Sequence, residues 1–158
     1  MRVINLVPKT NGNINSFNKN KLRYNDLVSR KVPVFVKFHS PTCPHCHDIK
    51  KSWNNVPRYL NKMGYNTRNF NMASIDTDVL EEEDIDGWKD VYGVPTIAKV
   101  TGNRAKQFQD DATDTVNIVH FIVEEYKLPK RNTFNRFNRS YLGGKKKKRY
   151  TKKRRYSV

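Results

Sequence analysis

The run Val34-Phe35-Val36-Lys37-Phe38 is followed at once by a turn that holds both cysteines of the chain, Cys43-Pro44-His45-Cys46. Ile49, Trp53, Val56, Leu60 and Met63 then recur at helical spacing. The order is a buried strand, a C-x-x-C and an amphipathic helix, and in that setting two thiols perform redox chemistry. A second strand entrance, Tyr92-Gly93-Val94-Pro95-Thr96, comes later in the chain.

Charge divides the chain. The formal net charge is +16, from 31 Lys and Arg against 15 Asp and Glu in 158 residues. Every acid lies within residues 1–127, whereas residues 128–158 hold 13 basic residues and no acid. A nearly neutral body, large enough for one core, is therefore expected to carry a polycationic tail. Two cysteines cannot build a disulfide framework, so packing must stabilise the body. No signal-peptide h-region and no run long enough to span a bilayer is visible. A reducing cytoplasmic setting is expected, not a secreted one.

The pattern predicts a βαβαβαββα order. A first strand covers residues 3–7 and a polar, Asn-rich loop residues 9–20, followed by a short helix ending near Arg30. A second strand covers 33–39. The cysteine helix runs from about 43 to 63, with Pro57 predicted to kink or end it near Val56 and Gly64 to stop it. A third strand covers 70–75. Asp76-Thr77-Asp78 is expected to cap an acidic helix that continues through Tyr92. Residues 96–100 and 105–108 read as a hairpin turning at Gly102-Asn103. A last helix over 114–127 is expected to bury Val116, Val119, Ile122, Val123 and Tyr126. The organisation so drawn is an N-terminal strand and loop (1–19), a domain (20–127) and a basic tail (128–158).

The attacking species in disulfide exchange is a thiolate. A helix N-terminus stabilises an anion, so Cys43 is the candidate nucleophile. Pro44 suits the first helical position, and His45 can place a positive charge or a donor near the Cys43 sulfur. Cys46, one turn deeper, is the natural resolving thiol.

On these residues the chain resembles the thioredoxin-fold superfamily. Residues 34–46 look like the strand and active-site turn of thioredoxins and protein disulfide isomerase domains. Tyr92-Gly93-Val94-Pro95-Thr96-Ile97 resembles the loop whose proline is cis and faces the disulfide. Trp53 is similar to an aromatic of isomerase domains. The resemblance implies an α/β fold with a central mixed sheet flanked by helices, and a thiol–disulfide oxidoreductase acting on protein thiols and disulfides. It implies no cofactor beyond a Cys43–Cys46 disulfide, a substrate groove shaped by Val94 and Pro95, and a separate redox partner protein. The Pro-His dipeptide resembles that of bacterial periplasmic disulfide oxidases, which implies an oxidising site. Three positions depart from the pattern. Thr42 stands where thioredoxins have Trp. Lys37 stands where they have a buried Asp or Glu that serves proton transfer at the second cysteine, and so becomes a candidate for proton transfer or pKa tuning. Pro57 falls later than the usual helix proline.

Other readings compete. Cys43-Pro44-His45-Cys46-His47 also matches the c-type haem attachment pattern, which leaves Val94-Pro95 unexplained. A zinc site on Cys43, Cys46 and His45 or His47 lacks a second ligand pair, so no metal is expected. A redox-inert fold used for binding is the remaining alternative. His39 and His120 read as ordinary histidines, and Trp53 and Trp88 as core.

The tail carries nine charges in eleven residues: Lys145, Lys146, Lys147, Lys148, Arg149, Lys152, Lys153, Arg154 and Arg155. Such a run is expected to be disordered and to bind nucleic acid or another polyanion, or to act as a nuclear signal. Its Gly-Gly-Lys-rich ending and the Asn/Lys-rich composition resemble proteins of nucleocytoplasmic large DNA viruses, which implies virion association. A binding protein attached to nucleic acid or virion through this tail, with secondary or no redox activity, is the alternative function.

Overall fold

The computed structural model describes residues 1–131. The polyanion-binding residues expected between Lys145 and Arg155 lie outside the described residues. Five strands form one mixed sheet in the order β1-β3-β2-β4-β5. β1 (Arg2–Leu6), β3 (Asn71–Asp76) and β2 (Val34–His39) run parallel, β4 (Thr96–Thr101) runs antiparallel to β2, and β5 (Arg104–Gln107) runs antiparallel to β4. β2 is central and buried almost throughout, as expected for a strand covered on both faces.

Helices cover both faces. On one, α1 (Ile14–Ser29) and α4 (Thr77–Glu82) close a core around Phe17, Tyr24, Val36, Phe38 and Ile75. On the other, α3 (Lys50–Lys62) and α5 (Thr115–Tyr126) close a core around Phe35, Trp53, Val56, Leu60 and Ile118. Trp53 and Trp88 are both core residues, 3% and 8% exposed. The alternation of β2 assigns its side chains: Val34, Val36 and Phe38 face α1, whereas Phe35 packs under α3. Lys37 and His39 follow Phe35 at spacings of two, toward the cysteines.

The element order matches the predicted pattern, with four corrections. Residues 9–20 are not a loop, because α1 begins at Ile14. The Asn13 side chain organises its start, accepting from the Thr10 N–H at 2.8 Å and donating to the Pro8 carbonyl at 3.0 Å. Phe17, Tyr24, Leu27 and Val28 form its buried stripe, and that burial overrides the weak helix propensity of the asparagines.

Second, Pro57 neither ends nor breaks its helix, which runs on to Lys62. The missing N–H leaves only the Trp53 carbonyl without its helical partner, and the buried Trp53–Val56–Leu60 face holds the segment. The break falls earlier, at Ile49, between α3 and the short α2 (Pro44–Asp48). Gly64 does stop α3, with φ +79. Tyr65 N–H bonds the Leu60 carbonyl and Gly64 N–H the Asn61 carbonyl, a Schellman ending.

Third, α4 ends at Glu82 rather than continuing through Tyr92. Ile85 and Trp88 must be buried, and the chain turns at Gly87, φ +92, where a Cβ would lie 2.7 Å from Val28. Such an approach needs glycine. Fourth, α5 turns a different face inward. Val116 is exposed, and Ile118 is buried with Val119 and Ile122. Val123 and Tyr126 pack at the margin of that core.

Candidate active site

β2 delivers the chain to a tight turn. Ser40 Oγ lies 2.9 Å from Thr42 Oγ1, and the Cys43 N–H donates to the Ser40 carbonyl at 3.3 Å. Cys43 is the N-cap of α2, with extended backbone, and Pro44 opens the helix. The two cysteines are free thiols with unequal exposure: Cys43 is partly exposed and Cys46 buried, at 6%.

The Val94–Pro95 peptide bond is cis. The Cys43 thiol donates to the Val94 carbonyl at 3.5 Å, and Thr96 Oγ1 donates to the Gly93 carbonyl at 2.6 Å. The two motifs, far apart in sequence, therefore meet at one sulfur. Tyr92 projects beside them, 94% exposed.

Beside Cys46 lies a buried lysine, with Lys50 and His39 near it. Lys37 is 6% exposed, and its ammonium makes no hydrogen bond or ion pair among the described residues. Burial lowers its pKa, the neighbouring Lys50 adds to the fall, and attraction to the Cys46 sulfur opposes it. Burial also lowers His39, to about 4, assisted by Lys37 and Lys50. Across the sheet, Asp76 pairs in register with His39. Its carboxylate accepts from the Asp78 N–H, capping α4, and burial raises its pKa. Cys46 is pushed up to about 11, by burial first and then by a hydrogen bond with the Cys43 thiol, against lowering by the Ser40 backbone and Lys37. Cys46 therefore keeps its proton at neutral pH.

The histidines of the motif face outward. His45 Nδ1 lies 3.6 Å from Asp48 Oδ2, with its side chain 83% exposed. His47 Nε2 donates to the Pro41 carbonyl at 3.0 Å, tying α2 to the preceding turn. No group of three or more His, Cys, Asp or Glu side chains gathers as a metal site among the described residues. No described helix is long and apolar enough to cross a membrane.

Thus Cys43, Cys46, Val94, Pro95 and Lys37 share one place, and His45 stands on its outer edge. Sequence reasoning missed His39 and Lys50. The period-two continuation Phe35–Lys37–His39 was the available signal for the first. Lys50 lies on a helical turn whose break at Ile49 has no sequence mark.

A five-stranded mixed sheet with a strand-end C-x-x-C against a cis-proline loop defines a thioredoxin-fold protein. A family model described as Thioredoxin matches residues 15–124, and the chain belongs to that family. No match is found among curated protein sequences. Among solved structures, the J-Trx1 fragment of ERdj5 is similar at 17% identity and a TM-score of 0.51, over 78% of this chain and 49% of that one. Zinc-bound human ERp44 is similar at 10% identity and a TM-score of 0.52, over 78% and 31%. The first thioredoxin domain of mouse protein disulfide-isomerase A4 matches at 22% identity and a TM-score of 0.47, over 77% and 72%. The chain thus spans half or less of the first two, and those two likenesses speak to the fold.

Proposed function

We propose that the protein is a thiol–disulfide oxidoreductase acting on protein thiols and disulfides. The observation that carries this is the asymmetry of the pair: an accessible Cys43 sulfur against the Val94 carbonyl, backed by a buried, protonated Cys46. In the reducing direction the Cys43 thiolate attacks one sulfur of a substrate disulfide. A Cys43–substrate bond forms, and the other substrate sulfur leaves as a thiolate that takes a proton. Cys46 then gives up its proton and attacks Cys43. The Cys43–Cys46 disulfide forms, and the second substrate sulfur leaves with the two electrons. The oxidising direction is the reverse, and the site's potential against that of its surroundings sets which one runs.

Lys37 acts on the second step. Its buried ammonium stabilises the Cys46 thiolate as that proton leaves. Val94 and Pro95 bound the groove that holds the substrate chain, and Pro44 and His45 form its opposite lip. A separate dithiol or disulfide protein regenerates the site.

The test is turnover of a disulfide-bonded protein such as insulin, with dithiothreitol as reductant. The wild-type chain should accelerate reduction and Cys43→Ser should not. Equal rates for the two would reject the proposal and favour a binding protein with idle thiols.

A further inference from the structure

The sheet gives the domain two poles. The parallel strands β1, β2 and β3 end at the pole of Cys43. α3 and α5 start there, joined by bonds from Ser52 Oγ to the Ala112 carbonyl and from Thr115 Oγ1 to the Ser52 carbonyl. Both helices then run to the opposite pole. At that pole the chain leaving α5 is strapped down: Asn66 N–H donates to the Pro129 carbonyl at 2.8 Å, and Arg131 N–H to the Gly64 carbonyl at 2.7 Å. Lys130 pairs antiparallel with Tyr65, its ammonium 5.7 Å from the ring centroid. The Arg131 guanidinium donates to Asn61 Oδ1 at 2.6 Å.

The strap walls an open hollow of about 760 Å³ whose charged side chains are Arg68, Lys130 and Arg131, with no carboxylate in its lining. A smaller hollow of about 300 Å³ adjoins it, sharing Arg68 and adding Arg30, again without a carboxylate. Arg30 is paired with Asp26 at 3.3 Å. The Arg68 guanidinium makes no hydrogen bond or ion pair among the described residues.

We propose that this pole is a docking surface for the phosphate backbone of duplex nucleic acid, with Arg68, Lys130 and Arg131 as its fixed cations. All three line one open hollow of about 760 Å³, and Arg68 extends it into the adjoining one, a space well beyond what a single phosphate fills and suited to a row of them. Guanidinium forks suit phosphate oxygens. The sequence continues the same charge without interruption, because residues 132–158 hold eleven more Lys and Arg and no Asp or Glu. Contacts to phosphate carry no base information, so binding is independent of sequence. The bound duplex lies at the pole opposite Cys43 and leaves that sulfur open.

The test uses the full chain and a fluorescent duplex DNA, with affinity followed against salt. Arg68→Gln alone should weaken binding by about threefold and flatten the log–log salt slope by about 0.9, one contact's worth, with an unchanged melting temperature. Combined with Lys130→Gln and Arg131→Gln, the slope should flatten by about 2.7. A control that removes equal charge elsewhere, from the exposed Lys19, Lys51 and Lys89, should change the slope little. Equal losses in both triple variants, or none in Arg68→Gln, would overturn the proposal. So would phosphatidylserine vesicles that compete with DNA phosphate for phosphate. Alkylation of Cys43 by iodoacetamide should proceed at the same rate with DNA bound. Protection of that thiol would place the duplex over the wrong pole.

Discussion

The Cys43 thiol and the Val94 carbonyl oxygen meet at 3.5 Å although 51 positions of sequence separate them. β2 and β4 bring this about. They are antiparallel neighbours with Phe38 opposite Thr96, so the residues just past Phe38 and just before Thr96 emerge from the same edge of the sheet. The Cys43 sulfur therefore opens against the Val94–Pro95 backbone.

The unequal exposure of the thiols predicts an order of reaction, Cys43 first. Cys46→Ala should accumulate mixed disulfides through Cys43, and Cys43→Ala few or none. Non-reducing gels of each variant after incubation with a disulfide-bonded protein measure this. Equal trapping by both would reverse or erase the assigned roles.

The raised pKa of Cys46 makes the reduced protein sensitive to alkali. A thiol whose folded pKa exceeds its unfolded value binds more protons in the folded state between the two. Its stabilising contribution is present below pH 9 and is lost as pH rises through about 11. Thermal melting of the reduced wild type should therefore fall more steeply over that interval than melting of Cys46→Ala. Parallel curves would show that Cys46 is not perturbed.

Lys37 is buried charge, and the fold bears its desolvation at neutral pH. Because its pKa is lowered in the folded state, its contribution is favourable only toward and above pH 10.5 and is lost as pH falls. Lys37→Met should raise the melting temperature at pH 7 by about 3 °C or more, with the gap from wild type narrowing as pH approaches 10.5. The same change should slow release of a trapped mixed disulfide, whereas Lys37→Asp should speed it by supplying a carboxylate proton acceptor. Release rates from single-turnover experiments decide this, and identical rates in all three proteins would remove Lys37 from the mechanism.

His39 behaves oppositely to a surface histidine. With its folded pKa at about 4, it stays neutral in the fold while the unfolded chain takes up a proton below 6.5. Stability is therefore lost as pH falls from 6.5 toward 4. Lys37 and Lys50 beside it and Asp76 opposite it share this environment. His39→Asn should flatten the loss, read as melting temperature against pH. An NMR titration of the His39 ring with a midpoint near 6.5 would contradict the burial argument.

Much of this site is legible in the sequence because its parts announce themselves locally. The apolar β2 run, the C-x-x-C, the proline loop and the Gly64 stop each rest on neighbouring residues alone. The remainder depends on distant partners. The asparagines preceding Phe17 form a helix only because Phe17 and Tyr24 find the sheet. The acidic stretch leaves α4 because Ile85 and Trp88 are drawn inward and Gly87 nestles on Val28. The phase of α5 is set by packing on α3, which favours Ile118 over Val116 although both are apolar. The partial burial of His39 follows from the central place of β2, which no spacing within the motif records.

Met1 and Arg131 line the same hollow, and the Met1 ammonium donates to the Arg68 carbonyl at 3.3 Å. Residues 1–131 thus trace a nearly closed circuit. A few joining residues would complete the ring, and new ends could open in the hairpin between Gly102 and Asn103. Such a circular permutant keeps β2 beside β4, and with them the approach of Cys43 to Val94. The meeting of these two motifs is a property of which strands are neighbours, and is separable from the order in which the chain visits them.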